Sequence, residues 1–368
     1  MSHHRSLTRR DMLAAAALLP TCAFADDLPN VDQQLRKDAK AASLSLQFRG
    51  KTKADAKAWQ KNFAKVLRAA LGPHKPPQDW SVKVEEDRQL PKYRRRQLLL
   101  SAKGVPTLPI YVLTPHGIKQ PRPGVLALHG HGTYGSDTVV GRKGIAGIAQ
   151  AIRGANYDYA HQLAEEGYVV VAPCMTPFGR RLHANVKLRK RTGSDPCAVT
   201  FVRMALLGRI LMSENLRDCL WAFEYLARMK STDVNRLGCV GLSYGGRMTM
   251  LTSALEPRIS LAVISGALNV MQERVQHRYS CGAQVIPGLL KFGDVPEIGS
   301  LIAPRHCVWE VGDKDGLITK SWADQAKKKI NRVYSALGAS GAIHYDQFHG
   351  GHRWSGKVAY PLMRKVWS

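Results

Sequence analysis

Acidic residues are scarce in this chain: 28 Asp and Glu stand against 54 Lys and Arg in 368 residues, a net charge of +26. Such an excess favours anionic partners, among them nucleic acid, acidic polysaccharide, anionic lipid and acidic small substrates, without choosing between them. The nucleic-acid option lacks its marks. There is no zinc-finger spacing, no RNP-like aromatic stretch and no basic heptad region, so no nucleic-acid partner is expected. Cysteine is sparse too: seven residues are too few for a disulfide scaffold, and their spacing suggests no pairing. Internal repeats and low-complexity linkers are missing from 82–368. What is there is globular: 45% hydrophobic and 22% charged residues exclude disorder and collagen-like repeats. The length suits one large α/β domain or two ordinary ones, with a core that needs no disulfide or metal staple.

Residues 1–25 read as a targeting segment. Arg9-Arg10 follow Thr8, the run 12–19 is apolar, and Ala23-Phe24-Ala25 offers a small-x-small cleavage site. The apolar run is far too short to span a membrane, so no span is expected after cleavage. The paired arginines resemble a twin-arginine signal, with a plain Sec signal as the alternative. A lipoprotein reading through Cys22 fits less well, because Pro20-Thr21 makes a poor lipobox. The expected location is therefore outside the cytoplasm, periplasmic or extracellular.

Residues 26–80 read as a helical N-terminal extension. Thr52 and Asp55 make a capping-box-like start, after which Trp59, Phe63, Val66, Leu67 and Leu71 share one helical face until Gly72-Pro73 stops it. From about 82 the pattern turns to strands, at 82–84, 97–101 and 110–114, whose short connections predict an antiparallel edge. Continuous apolar runs follow at 124–128, 169–172, 237–240, 261–264 and 307–311, as expected of strands buried on both faces. Helical stretches at 157–166, 214–229, 248–255 and 321–337 lie between them. This alternation predicts an α/β catalytic domain over 81–368, with a mostly parallel central sheet and helices on both faces. Residues 174–213 break the rhythm as a long loop insertion, expected as a lid. It carries Arg180, Arg181, Lys187, Arg189, Lys190 and Arg191 with no acid before Asp195.

Gly241-Leu242-Ser243-Tyr244-Gly245 carries the chemistry. It joins the strand run 237–240 to a helix opening at about Tyr244, which is the context a GxSxG motif needs to mean more than a glycine turn. The turn must be sharp enough to leave the serine exposed, and the glycines remove the side chains that would clash. A serine hydroxyl needs a base. Asp313 and Asp315 follow the strand run 307–311, and His349 and His352 follow 343–347, so the order along the chain is Ser, Asp, His. His352 is the assigned general base and Asp315 its orienter, with His349 and Asp313 as rivals. An oxyanion needs donors already in place. The assigned ones are the backbone N–H groups of Tyr244 and of His131, the latter in the loop His129-Gly130-His131-Gly132. A metal reading of His129, His131, His349 and His352 is disfavoured, since no Cys or carboxylate completes a recognisable spacing. No cofactor and no metal are expected.

With these residues in place, 82–368 resembles the α/β-hydrolase superfamily. More narrowly, it is similar to the dienelactone hydrolase and acetyl xylan esterase-like secreted bacterial hydrolases. Further marks are the runs 167–173 (GYVVVAP), 233–243 (DVNRLGCVGLS), 301–305 (LIAPR) and 350–354 (GGHRW). Two departures matter. Dienelactone hydrolases proper use a cysteine nucleophile where this chain has Ser243, and glucuronoyl esterases usually carry a basic residue directly after the nucleophile, where this chain has Tyr244. Ser-Tyr-Gly-Gly also occurs in prolyl-oligopeptidase-like peptidases, but the short N-terminal region cannot build their propeller.

The resemblance and the residues together imply a secreted serine carboxylesterase acting on an ester substrate, anionic or polysaccharide in character, with acetyl groups on a carbohydrate polymer as the leading class. Arg180, Arg189 and Arg191 are the expected substrate-binding cations. The alternatives are a serine peptidase and a catalytically degenerate polyanion-binding protein. Oligomeric state is not readable from the sequence.

Overall fold

The computed structural model describes residues 30–182, 195–278 and 280–368. Its nine strands are β1 Ser81–Gln89, β2 Tyr93–Ser101, β3 Leu108–Pro115, β4 Arg122–Leu128, β5 Val169–Pro173, β6 Thr232–Leu242, β7 Leu261–Ser265, β8 His306–Gly312 and β9 Ile343–Phe348. They form one sheet in the order β1-β2-β3-β5-β4-β6-β7-β8-β9. The pairs β1–β2, β2–β3 and β3–β5 are antiparallel. All pairs from β5–β4 to β8–β9 are parallel. The antiparallel edge and parallel centre are those expected from the sequence.

The apolar runs lack polar alternation because both faces of the sheet are covered. Leu126 and Leu128 of β4, with Val169 and Val171 of β5, enter one core. Val125, Ala127, Val170 and Ala172 enter the other. The first core is closed by the helices Lys53–Leu71, Leu211–Ala227, Tyr244–Leu255 and Lys320–Ala336, the second by Tyr159–Glu165 and Ala359–Val366. Each fully buried Val or Leu contributes roughly 1.5–3 kcal/mol, so a charge in these runs would be costly. No single helix among the described residues is long and apolar enough to cross a membrane.

The helix Lys53–Leu71, which follows a first helix Val31–Lys40, begins where the capping box predicts. The Asp55 N–H donates to Thr52 Oγ1 and the Thr52 N–H to Asp55 Oδ2. Its Phe63, Leu67 and Leu71 are buried in the same apolar cluster as the sheet. Gln60 Nε2 donates to the Ser300 and Ala303 carbonyls, which ties the helix to the body at both its apolar and polar faces.

The long connection needs a correction. Its described C-terminal part is not a loop but the helix Pro196–Leu206, with Asp195 as N-cap accepting from the Cys197 N–H and Pro196 in the first turn. The following helix also starts earlier than expected, at Leu211.

Strand order also creates the crevice. β4 lies between β5 and β6, so the chain leaves it toward one side and crosses back to the other. In an open α/β sheet that reversal separates the loops at the carboxyl ends of the two flanking strands, and ligands bind there. His129–His131 follow β4 and Ser243 follows β6.

Candidate active site

Ser243 occupies a backbone conformation that few side-chain-bearing residues adopt, φ 64° and ψ −122°. Such a position costs on the order of 1–3 kcal/mol and persists only where its surroundings enforce it. The enforcement is close packing of backbone. A Cβ on Gly245 would stand 1.9 Å from the Leu128 carbonyl oxygen, and one on Gly241 would stand 2.5 Å from the Gly245 carbonyl. The Ser243 N–H donates to the Ser265 carbonyl at 2.9 Å, pinning the turn to the end of β7. Directly after it, the helix Tyr244–Leu255 makes its first intrahelical bond from Arg247 N–H to the Ser243 carbonyl. The N–H of Tyr244 therefore has no acceptor within the helix and sits at the positive end of its dipole.

The two histidines and two aspartates that the sequence leaves in competition form two separate pairs. His352 Nδ1 lies 2.7 Å from Asp315 Oδ2, and His349 Nδ1 lies 2.9 Å from Asp313 Oδ2. Burial separates them. The side chain of Asp315 is 1% exposed and that of His352 27%, against 54% for Asp313 and 75% for His349. The second oxygen of Asp315 accepts from the Leu317 N–H at 2.9 Å, which fixes the carboxylate plane. The His352 ring lies on Gly266, whose missing side chain makes the room: a Cβ there would stand 2.7 Å from His352 Cε1. Gly266 follows Ser265, the residue that holds the Ser243 N–H. The Nε2 of His352 is buried and has no hydrogen-bond partner among the described residues.

The loop after β4 comes equally close. A Cβ on Gly130 would stand 3.0 Å from Ser243 Cβ. The Gly130 N–H is already used, donating to the Tyr157 hydroxyl at 2.6 Å. His129 is fully buried. Its Nε2 accepts from the Met175 N–H at 2.9 Å, so the ring proton sits on Nδ1, which donates to the Gly130 carbonyl. Burial pushes His129 down to about 4 and keeps it neutral. It is a brace for the loop and is unsuited to be a base near neutral pH. His131, Ser243 and Tyr244 line one pocket of about 180 Å³, together with Gly266, Asn269, Arg274, Cys281 and Gln284.

Of these wall residues, Asn269, Arg274, Cys281 and Gln284 escape the sequence reading. Arg247, one turn after Ser243, is buried and donates to Asn269 and to Gln284 Oε1, so it shapes the wall from behind. Cys281 meets His131 Nε2 at 2.9 Å and also approaches Cys197. Hydrogen bonds from Cys197 and His131 hold the Cys281 thiol below its usual range, while Cys197 is pushed up by the same partner and by burial. Cys239 is buried and donates to Thr249. The grouping of His129, His131, His349 and His352 does not form, since His349 and His352 are each taken by an aspartate and His129 by backbone.

The basic stretch is also less bare than its sequence suggests. Arg180 pairs with Glu85 of β1, and Arg181 pairs with the buried Asp218. Both acids come from distant parts of the chain, so the local absence of acid does not leave these two cations uncompensated. Arg189 and Arg191, with Lys187 and Lys190, lie outside the described residues.

Comparison with known proteins follows the same lines. The family model described as "Dienelactone hydrolase family" matches residues 135–277. A provisionally named hydrolase of Bacillus subtilis (strain 168), YtaP, is 28% identical over 280 residues, covering 73% of this chain and 85% of that one. A provisionally named acetyl xylan esterase of Bacteroides fragilis NCTC 9343 superposes with a TM-score of 0.75 at 15% identity, over 92% of this chain and 95% of its own. A glucuronoyl esterase from Solibacter usitatus gives a TM-score of 0.61 at 14% identity, over 84% and 92%. With this sheet order the chain has the α/β-hydrolase fold, and its segment 135–277 matches the dienelactone hydrolase family.

Proposed function

We propose that the protein is an exported serine carboxylic-ester hydrolase working through an acyl-enzyme, with carbohydrate-borne short acyl esters as its substrate class. Ser243 Oγ attacks the ester carbonyl. His352 Nε2 takes the hydroxyl proton, then gives it to the leaving alcohol, and Asp315 holds the ring with Nε2 toward the serine and stabilises the imidazolium. The backbone N–H groups of His131 and Tyr244 stabilise the tetrahedral oxyanion. A water molecule, activated by His352 in turn, deacylates Ser243.

The observation that carries this reading is the join at β7. One residue, Ser265, holds the strained Ser243 turn, and the next, Gly266, makes room for a histidine whose Nδ1 is engaged by a buried aspartate and whose Nε2 is unpartnered among the described residues. A structural serine turn has no need of such a partner. The pocket volume of about 180 Å³ favours a small acyl group, since sites for larger ligands run to roughly 300–1,000 Å³. Support for the carbohydrate class comes from the fold shared with proteins named acetyl xylan esterase and glucuronoyl esterase. Export rests on Arg9-Arg10 and Ala23-Phe24-Ala25, which lie outside the described residues. Arg189 and Arg191 are retained as candidate cations for an acidic substrate.

The test is hydrolysis of 4-nitrophenyl acetate by the wild type and its loss in Ser243→Ala, followed by acetylated xylan and a peptide substrate in parallel. Acetate release from xylan without peptide cleavage supports the reading. Peptide cleavage alone, or ester hydrolysis undiminished in Ser243→Ala, contradicts it.

A further inference from the structure

Three soft donor atoms from separate parts of the chain meet beside Ser243. They are Nε2 of His131, in the turn after β4, Sγ of Cys197, in the first turn of the helix Pro196–Leu206, and Sγ of Cys281. All lie within 4.8 Å of one another, and His131 Nε2 stands 2.9 Å from Cys281 Sγ. Among the described residues this is the one group of three such side chains that converges in this way. The other described cysteines, Cys174, Cys219, Cys239 and Cys307, are buried and take no part in it.

We propose that His131, Cys197 and Cys281 form a binding site for one soft divalent cation of the zinc class on the wall of the Ser243 pocket.

The donor set decides the class of ion. Two thiolates and an imidazole suit zinc and disfavour magnesium and calcium, which take oxygen ligands. The spacing is compatible. Tetrahedral zinc with Zn–N near 2.0 Å and Zn–S near 2.3 Å sets N···S at about 3.5 Å and S···S at about 3.8 Å. The His131–Cys281 contact has to open by roughly half an ångström for an ion to enter, which small side-chain rotations supply.

The supports around the donors are firm. The His131 ring is flanked by the rings of Phe178 and Tyr244, with centroids 5.3 and 5.2 Å away. Gly282, next to Cys281, sits against the helix that carries Cys197: a Cβ there would meet Phe201 Cβ at 2.4 Å and the Cys197 carbonyl at 3.2 Å. The two cysteines are therefore presented by segments already packed together, a pre-organisation that favours binding. Three protein ligands leave a fourth position, as in open zinc sites. His131 and Cys281 both line the pocket that contains Ser243. The site would join the turn after β4, the helix Pro196–Leu206 and the segment at Cys281. It stands whether or not Ser243 is catalytic.

The experiment titrates the full-length, reduced protein with Zn²⁺ and, separately, with Co²⁺ as a spectroscopic probe. One equivalent of zinc should bind and raise the melting temperature. Cobalt should give a thiolate charge-transfer band and the strong visible bands of a tetrahedral site. Cys281→Ala and Cys197→Ser should each lose the cobalt spectrum and weaken zinc binding at least tenfold, while Cys307→Ala keeps both. Circular dichroism confirms folding of each variant. If one of them does not fold, the other variant and the wild-type spectrum still decide. Wild type that binds no zinc and gives no cobalt band with its thiols reduced overturns the proposal. So does an unchanged cobalt spectrum in a folded Cys281→Ala, or a Cys197–Cys281 disulfide found by peptide mapping of protein isolated without reductant.

Discussion

The Nδ1 of His352 stands 2.7 Å from Oδ2 of Asp315, and the partner carboxylate is almost wholly buried. The neighbouring pair His349–Asp313 has nearly the same separation, 2.9 Å, but lies in solvent. Hydrogen bonding alone does not distinguish the pairs. Their positions do, because His352 packs on Gly266 beside the strand end that holds Ser243.

This difference predicts the outcome of substituting each member. Ser243→Ala and His352→Ala should lower kcat for a small acetyl ester by about three orders of magnitude or more without unfolding the protein. Asp315→Asn should cost at least about a hundredfold, through loss of ring orientation. His349→Ala and Asp313→Asn should stay within roughly a factor of two, as expected of an exposed pair. Steady-state kinetics on the five variants checks this, and an inactive His349→Ala beside an active His352→Ala would reverse the assignment.

Gly266 supplies a second expectation. Its φ is +58°, and an added Cβ would stand 2.7 Å from His352 Cε1. Gly266→Ala should lose roughly 1–2 kcal/mol of stability from the left-handed backbone and should lower kcat more than tenfold by displacing the imidazole. Retained kcat in a folded Gly266→Ala, measured beside its unfolding curve, would show that the ring does not need this contact.

A pH dependence follows from Glu310. This carboxyl is buried at the end of β8, accepts the N–H groups of Ser355 and Gly356, and is pushed up to about 7, chiefly by burial. Unfolded, it would titrate near 4.3. Between these values the folded state binds more protons, so its stabilising contribution is full below about 4 and is lost as pH rises through 7. Relative to Glu310→Gln, wild-type unfolding free energy should fall by about 3 kcal/mol between pH 4 and pH 8. Denaturant unfolding of both proteins across that range checks it, and parallel curves would refute it.

How far the sequence discloses this architecture depends on where each element's information lies. The parallel strands are legible because a strand buried on both faces must be continuously apolar, as 124–128 and 169–172 are. Edge strand β1 is legible only at Val82 and Val84, because it is exposed along most of its length and its Glu, Asp and Arg residues carry no core pattern. The helix Pro196–Leu206 is missed despite its Asp195-Pro196 start, because Val202 and Leu206 are exposed and blur the helical stripe. Within the site, strand ends and chain order suffice to name Ser243 and the two His and two Asp candidates. The sequence assigns His352 and Asp315 over His349 and Asp313 by position alone, whereas the difference in burial between the two pairs is tertiary and has no local signal. The meeting of His131, Cys197 and Cys281 has no sequence signal, since no local spacing encodes contacts between residues 66 and 84 positions apart.

Charge in the undescribed part of the basic stretch yields a salt prediction. Arg180 and Arg181 already have acidic partners, so any recruitment of an acidic substrate falls to the cations beyond them. Exposed charges are screened beyond about 8 Å at physiological salt. Combined Arg189→Ala, Lys190→Ala and Arg191→Ala should raise KM severalfold for a uronate-bearing ester, and added salt should do the same to wild type. Neither change should affect a neutral acetyl ester. Equal effects on the two substrates would remove the electrostatic role.

The export expectation is checked separately. N-terminal sequencing of secreted protein should begin at Asp26, and replacing Arg9 and Arg10 with lysine should block export if the twin-arginine route is used. Normal export of that double variant would leave the Sec route.

The most direct test is to trap the acyl-enzyme. Wild-type protein mixed with 4-nitrophenyl acetate and quenched in acid should yield, on peptide mapping, an acetyl group on the peptide containing Ser243 and on that serine alone. Ser243→Ala should show no such adduct and no turnover. Hydrolysis that proceeds at the wild-type rate in Ser243→Ala, or an acetyl group that accumulates on another residue at the rate of turnover, would contradict the account.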